Sequence, residues 1–195
     1  MIVIHLDYGN SKKIMKELYT NVNIIGGGLI GAAIAHCLSK LGFEITILEK
    51  NDFYSNLKKN SDYRTVAVSE GTKNFLDKIG IWKEAKKFSE PIKKIKIIDR
   101  DFSNYLDFDN NRRSSNLGYI ISNKKLLEIF YNQLLKEDRI KIFNNTEITG
   151  LDYFGDTIQT HFKKKIIKSN LNIAADGKNS FVRNLLKTPS YKKIY

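Results

Sequence analysis

Hydrophobic and polar positions first form a regular pattern near residue 22. The apolar run Val22 to Ile25 predicts a buried β-strand, and Leu29 to Leu41 has the periodicity of an amphipathic helix. Gly42 is placed to end this helix, and the β-branched segment 44–48 predicts a second parallel strand. The chain therefore opens with a βαβ unit. The expected buried stripe of its helix consists of Ile30, Ile34, Leu38 and Leu41.

The turn between this strand and helix reads Gly26-Gly27-Gly28-Leu29-Ile30-Gly31, a G-x-G-x-x-G arrangement. Gly26 permits the tight turn, Gly28 lets the backbone approach a pyrophosphate at the helix N-terminus, and Gly31 lets the helix pack closely on the sheet. Glu49 lies 23 positions after Gly26 and is placed to accept hydrogen bonds from an adenosine ribose. The adjoining Lys50 is included in this candidate site. The motif predicts dinucleotide binding but does not distinguish FAD from NAD.

Composition narrows the possible partners. The chain has 195 residues, enough for one main domain with a small lobe, and its formal charge is +12. Its lysines are spread along the chain without the interleaved aromatic residues of an RNA-recognition motif, so a solvated surface is favoured and no nucleic-acid partner is expected. A basic nucleic-acid-binding protein is the weaker alternative. No apolar run has the length of a membrane span, and no signal peptide is evident, so we expect a cytoplasmic chain.

Cysteine and histidine indicate neither a disulfide framework nor a metal site. The single cysteine, Cys37, lies inside the predicted first helix and is interpreted as a packing residue. His5, His36 and His161 lack ligand spacing, so no metal is expected, and His36 is predicted to pack along the first helix. No convincing side-chain base or nucleophile is found, so the catalytic residues are unknown.

Three later segments carry further motifs. The first is Asp62-Tyr63-Arg64-Thr65-Val66-Ala67-Val68-Ser69, with a predicted helix leading to Gly80-Ile81-Trp82. The second is Leu117-Gly118-Tyr119-Ile120-Ile121, with a predicted helix from Asn123 to Leu135. The third is Ala174-Ala175-Asp176-Gly177-Lys178-Asn179-Ser180-Phe181-Val182-Arg183, after a predicted strand over 171–174. These segments resemble D-x-R-x-x-A-x-S, L-G-Y-V-V and A-D-G-x-x-S-x-x-R motifs of flavin-dependent aromatic hydroxylases, in particular those of ubiquinone biosynthesis.

The resemblance covers about residues 20–195 and implies an α/β, Rossmann-like three-layer fold of the glutathione-reductase and para-hydroxybenzoate-hydroxylase type. Residues 21–90 and 117–195 would form the FAD-binding domain, 91–116 part of a β-rich substrate lobe, and 1–20 an N-terminal extension. The G-D-A-x-H-x-x-x-P segment with which the family holds its flavin does not occur in these residues, so a C-terminally truncated chain is expected.

The resemblance also implies residue roles and partners. Arg64 would contact the flavin diphosphate, Glu49 the ribose, and the Asp176-Gly177 turn the pyrophosphate. The cofactors would be FAD and, as electron donor, NAD(P)H, and the substrate a polyprenylated phenol. Peripheral association with the inner face of the membrane, or with a ubiquinone-biosynthesis complex, is left open. The alternative is an inactive or degraded fragment that at most binds an ADP moiety.

Overall fold

The computed structural model describes residues 16–52, 63–98, 105–109 and 116–191. These residues form two compact units, one of residues 16–52 with 134–191 and one of residues 63–98, 105–109 and 116–133. The predicted division into extension, FAD-binding domain and substrate lobe stays a prediction. His5, and Asp62 of the first later motif, lie outside the described residues.

The helices and strands follow one another along the chain in this order: β1 (Lys16–Ile25), α1 (Leu29–Lys40), β2 (Ile45–Leu48), β3 (Thr65–Val68), α2 (Glu70–Lys78), α3 (Trp82–Ala85), a 3₁₀ turn (Lys86–Phe88), β4 (Ser89–Ile92), β5 (Lys94–Ile98), β6 (Tyr105–Asp109), β7 (Gly118–Ser122), α4 (Asn123–Leu134), β8 (Ile140–Phe143), β9 (Gly150–Phe154), β10 (Thr157–Phe162), β11 (Lys165–Ala174) and α5 (Phe181–Leu185).

The first unit is built on a six-stranded sheet in the order β8-β2-β1-β11-β10-β9. The four strands β8, β2, β1 and β11 run parallel, whereas β11, β10 and β9 form an antiparallel meander. The predicted strand at Val22 is confirmed, but β1 begins at Lys16. Its first residues, 16–20, pair with residues 165–169 of β11, a long-range contact that the local pattern could not reveal.

Helix α1 buries a different face from the predicted one. Ile30 is 68% exposed and Leu41 is 73% exposed, so the predicted apolar stripe is wrong at both ends. The helix presents small residues to the sheet because they allow its backbone to approach closely, and the residues that it buries are Gly31, Ala32, Ala35, His36 and Ser39. The predicted end of the helix is confirmed, since the Gly42 N–H donates to the Ser39 carbonyl at 2.9 Å and Gly42 has φ +91°.

A hydrophobic cluster lies beneath the carboxyl ends of β1 and β2. Ile25 and Leu48 are the last residues of these strands, and both are buried. They pack in one cluster with residues of β10, β11, α5 and the segment before β9, namely Ile148, Phe162, Ile167 and Val182. The turns that follow β1, β2 and β11 are therefore carried on a packed core.

The second unit contains the three-stranded antiparallel sheet β3-β7-β4 and the two-stranded ribbon β5-β6. Ser69 caps α2, its hydroxyl accepting a hydrogen bond from the Thr72 N–H at 3.2 Å. Trp82 is buried, and its ring meets the ring of Tyr119 edge to face at 4.8 Å between centroids. The predicted helix from Asn123 is confirmed and ends at Leu134.

Candidate dinucleotide-binding site

Gly26 stands where two turns of the first unit meet. Its φ is +104°, and a Cβ atom added there would lie 2.6 Å from the carbonyl carbon of Ala175 and 2.9 Å from the Cα of Asp176. The Ala175 N–H holds this contact by donating to the Ile25 carbonyl at 2.7 Å, and the Gly26 N–H joins the turn to β2 by donating to the Leu48 carbonyl at 2.8 Å. Both the backbone conformation and the close approach therefore require glycine at position 26.

Gly31 and Gly28 serve different purposes. A Cβ atom at Gly31 would overlap the carbonyl oxygen of Gly26 and lie 3.3 Å from the Cγ2 of Ile24, so helix packing requires this glycine. A Cβ atom at Gly28 would meet no described atom within 4 Å, and the φ of −67° there suits any residue. The protein itself has no need of glycine at position 28, whereas a ligand that approaches the backbone would.

The N-terminus of α1 is open to an anion. Gly28 is its N-cap residue, no side chain caps the helix, and its first turn contains no acidic residue. Backbone N–H groups and the helix dipole favour negative charge at such an end. Together with the open space at Gly28, this arrangement fits the pyrophosphate of a dinucleotide.

The Glu49 carboxylate joins the glycine turn to the loop after β2. One carboxylate oxygen accepts a hydrogen bond from the Gly27 N–H at 2.6 Å, and the other accepts one from the Asn51 N–H at 2.9 Å. Gly27 is buried and Glu49 partly buried. The sequence predicted a ribose contact for Glu49 and missed this backbone contact, which the motif gives no signal for. The ribose contact stays a prediction.

Lys50 points toward a residue that the sequence did not associate with it. Its ammonium group forms an ion pair with Glu147, and both side chains are exposed. The hydrogen bond that Lys50 donates to Glu147, followed by the negative charge of Glu147, raises the pKa of Lys50 above the ordinary lysine value. A role for Lys50 in cofactor binding stays a prediction.

The Asp176-Gly177 turn follows β11 directly and leads into α5. Asp176 accepts a hydrogen bond from the Val182 N–H at 3.1 Å, and Ser180, the N-cap residue, accepts one from the Arg183 N–H at 3.0 Å. The Asp176 carboxylate therefore also helps to cap α5, since it accepts a backbone N–H in the first turn of this helix. Gly177 has φ +81°, and a Cβ atom there would meet no described atom within 4 Å.

Arg64 belongs to the second unit, whereas the other seven candidate residues belong to the first. It is exposed and immediately precedes β3, and its carbonyl accepts a hydrogen bond from the Asn123 N–H at 3.0 Å. Within the first unit the structure brings the glycine turn, Glu49 and the Asp176-Gly177 turn to the carboxyl ends of parallel strands. The flavin contact expected of Arg64 stays a prediction.

The remaining candidate residues take structural positions. His36 is buried along α1, as predicted. Cys37 is partly buried, and burial raises the pKa of its thiol, which agrees with a packing residue and not with an activated nucleophile. Within the described ranges, no three histidine, cysteine, aspartate or glutamate side chains are grouped as a metal site would require.

A parallel sheet with a glycine-rich turn between its first strand and helix, and an acid at the end of the second strand, defines an α/β dinucleotide-binding protein. The chain belongs to the family described as FAD binding domain, whose model matches residues 19–194. The α/β Rossmann-like fold and FAD as the cofactor, both expected from the sequence, are thereby confirmed.

Individual relatives agree with this assignment. The chain is 25% identical over 164 residues to the ubiquinone hydroxylase UbiL of Rhodospirillum rubrum, covering 84% of the chain and 38% of the relative. It is 24% identical over 171 residues to the 3-demethoxyubiquinol 3-hydroxylase of Escherichia coli, covering 85% of the chain and 43% of the relative. The expected resemblance to hydroxylases of ubiquinone biosynthesis is confirmed. The chain spans about two fifths of the length of these curated relatives.

The fold is also that of solved monooxygenases. The p-nitrophenol 4-monooxygenase PnpA of Pseudomonas putida superposes with a TM-score of 0.74 at 18% identity, over 88% of this chain and 44% of that one. None of the described helices has the length and the apolar run that a membrane crossing requires.

Proposed function

We propose that this chain is the FAD-binding portion of a monooxygenase of ubiquinone biosynthesis, which adds one oxygen atom to the ring of a polyprenylated phenol with NAD(P)H as electron donor. The FAD binding domain family and the two ubiquinone-pathway relatives support this proposal. Peripheral association with a membrane or with a ubiquinone-biosynthesis complex is the corresponding proposal for its location.

The residues of this chain bind and orient the cofactor in this proposal. The turn that contains Gly26, Gly28 and Gly31 receives the pyrophosphate, and the Asp176-Gly177 turn lies next to it. The Glu49 carboxylate accepts hydrogen bonds from the ribose. Lys50 and Arg64 are further contacts of the cofactor. FAD supplies the redox and oxygen chemistry when bound, and the protein contributes position and electrostatics. The single observation that carries the proposal is the open space at Gly28, where protein packing gives no reason for glycine.

A pair of glycine substitutions tests FAD binding. Gly28→Val places a branched side chain where the pyrophosphate approaches, whereas Gly71→Val adds the same atoms at the start of α2, where no described atom lies closer than 3.9 Å to the added Cβ. Titration with FAD, followed by the change in flavin fluorescence, is expected to show saturable binding by the parent and by Gly71→Val. Gly28→Val should weaken binding at least about tenfold, the factor that corresponds to 1.4 kcal/mol.

Thermal unfolding of the same three proteins separates loss of binding from loss of structure. Gly28→Val should still fold, at a cost of about 1 kcal/mol for valine as the N-cap residue, because the backbone there has φ −67° and a Cβ atom meets open space. A parent chain that folds and binds no FAD would refute the proposal. Equal FAD affinity of Gly28→Val and the parent would refute the placement of the pyrophosphate.

A second candidate function is an ADP-moiety-binding module without hydroxylase activity, because a glycine turn of this kind at a helix N-terminus receives the ADP part of any dinucleotide. Oxidation of NADH and NADPH by the FAD-loaded chain, with and without a prenylated phenol, distinguishes the two. Substrate-dependent oxidation supports the hydroxylase, whereas tight FAD and ADP binding without it supports the module. Co-sedimentation with phospholipid vesicles tests the peripheral association.

A further inference from the structure

Four polar side chains, three of them buried and that of Asn172 partly buried, form a hydrogen-bonded cluster in the first unit, which we term the polar clasp. The side-chain amides of Asn23 and Asn172 both donate to the hydroxyl oxygen of Thr160, at 2.9 Å and 2.8 Å. The Ser169 hydroxyl donates to the side-chain oxygen of Asn172 at 2.7 Å. Asn23 and Thr160 are 0% exposed and Ser169 is 2% exposed. Three strands, β1, β10 and β11, are thus joined at one hydroxyl group.

Core stability does not explain the polar clasp. Ile25, two positions after Asn23 in β1, and Ile167, paired with Thr160 in β11, are buried aliphatic residues of one cluster, so apolar side chains are accommodated on this face of the sheet. Burying polar groups is unfavourable unless all of them are paired, and the buried side-chain oxygen of Asn23 accepts no hydrogen bond within the described part of the chain. Apolar replacement of every partner in such a cluster is often neutral or stabilising.

The polar clasp lies directly behind the candidate cofactor site. Asn23 and Asn172 are opposite each other in the parallel register of β1 and β11. Both strands end shortly afterwards, at Ile25 and Ala174, and the two turns that meet at Gly26 follow at once. A shift of β11 against β1 would separate these turns. The polar clasp is therefore placed to prevent this shift, because its hydrogen bonds join both strands to the Thr160 hydroxyl of β10.

We propose that Asn23, Thr160 and Asn172 are positioning residues, which hold the carboxyl ends of β1 and β11 in the alignment that the dinucleotide site needs. The effect on FAD binding rests on the proposed function. The alignment itself does not, because the hydrogen bond from the Ala175 N–H to the Ile25 carbonyl is a contact within the protein. Its protection from hydrogen exchange reports the alignment in the free protein.

Two substitutions of Thr160 distinguish the effect of its hydroxyl group from the effect of its side-chain shape. Thr160→Val is nearly isosteric and removes the acceptor of both amides, whereas Thr160→Ser keeps it. Ile167→Val, at the position paired with Thr160 in β11, is the matched control for a small loss of packing. The measurement is amide exchange at Ala175 relative to Gly26, whose N–H bonds to β2 on the other side of β1.

Thr160→Val is expected to accelerate exchange at Ala175 about tenfold relative to Gly26, because local opening is governed by local contacts. Thr160→Ser should restore the parent ratio, and Ile167→Val should change both amides alike. FAD affinity should fall for Thr160→Val and recover for Thr160→Ser. A general loss of stability would instead change both amides together in every variant, and that result would overturn the proposal.

A triple variant provides the same test if Thr160→Val does not fold. Asn23→Val, Thr160→Val and Asn172→Val together remove both amides and the hydroxyl that they share, and the Ser169 hydroxyl still lies 3.5 Å from the Ile158 carbonyl. This protein should therefore fold with an unfolding midpoint at or above that of the parent. Its Ala175 amide should nevertheless exchange faster relative to Gly26, and its FAD affinity should be lower. A parent-like exchange ratio in this variant would refute the positioning role. A parent that binds no FAD would refute the proposed function, while the exchange ratio would still decide the present inference.

Discussion

The side chain of Glu49 accepts the hydrogen bond of the Gly27 backbone N–H at 2.6 Å. Its second oxygen accepts from the Asn51 N–H at 2.9 Å, so one carboxylate connects the end of β2, the glycine turn and the following loop. Both contacts are made within the protein. A ribose that binds to Glu49 must therefore share carboxylate oxygens that also hold the glycine turn and the following loop.

Glu49→Gln tests this double contact. The amide keeps one acceptor oxygen but turns an NH2 group toward the second backbone N–H, so one hydrogen bond is lost and a donor is left without its acceptor. The unfolding free energy in urea is expected to fall by about 1–2 kcal/mol, and FAD affinity should fall as well. Glu147→Gln is the control, since it breaks only the exposed pair with Lys50 and should leave the urea midpoint unchanged. Equal effects of both substitutions would contradict the prediction.

The positions of helices and strands could be predicted from the sequence where they depend on residues close together in the chain. The βαβ opening, the end of α1 at Gly42 and the strand before Asp176 follow from periodicity and turn chemistry, and the structure confirms them. The buried face of α1 was mispredicted because periodicity identifies large apolar residues as buried. This helix packs through Gly31 and Ala35 instead, and Ile30 is left exposed.

The connections within the site could not be predicted in the same way. The glycine pattern located the turn, but the bond from Gly27 to Glu49 depends on how β2 lies beside β1. Asn23 and Thr160 are 137 positions apart, and their contact depends on the meander that joins β9, β10 and β11. Contacts of this range are set by the sheet register, which no single segment encodes.

The two reasons for glycine at position 26 can be separated by stability measurements. Gly42→Ala imposes only the strain of positive φ, since Gly42 has φ +91° and open space around its Cβ position. That strain should lower the unfolding free energy by about 1–2 kcal/mol. Gly26→Ala imposes similar strain at φ +104° and also forces a Cβ atom against Ala175, which should remove about 1–3 kcal/mol more. Equal losses of unfolding free energy for Gly26→Ala and Gly42→Ala, measured by urea denaturation, would show that the two turns at Gly26 move apart to accommodate the Cβ atom.

The thiol of Cys37 should react slowly. Burial raises its pKa, so less of the nucleophilic thiolate is present at neutral pH than in a free cysteine. Alkylation by iodoacetamide at pH 7.5, followed by intact mass, is expected to be slower than for the urea-unfolded chain, which serves as the reference because it contains the same single cysteine. Equal rates in the folded and unfolded chain would show that α1 does not protect this residue.

The ion pair between Lys40 and Glu137 should make stability depend on pH in the acidic range. The hydrogen bond from Lys40, and then its charge, lower the pKa of Glu137 below its ordinary value. Because the folded-state pKa is depressed, the pair stabilises the fold above the unfolded-state pKa and loses this effect as the pH falls through the folded-state value.

Lys40→Met should therefore lower the urea midpoint at pH 7 and converge with the parent in more acidic solution. Lys87→Met, which breaks a pair with the more exposed carboxylate of Glu84, is the control and should differ less from the parent at either pH. A constant difference between Lys40→Met and the parent across the acidic range would assign the effect of Lys40 to its packing along the end of α1 and not to its charge.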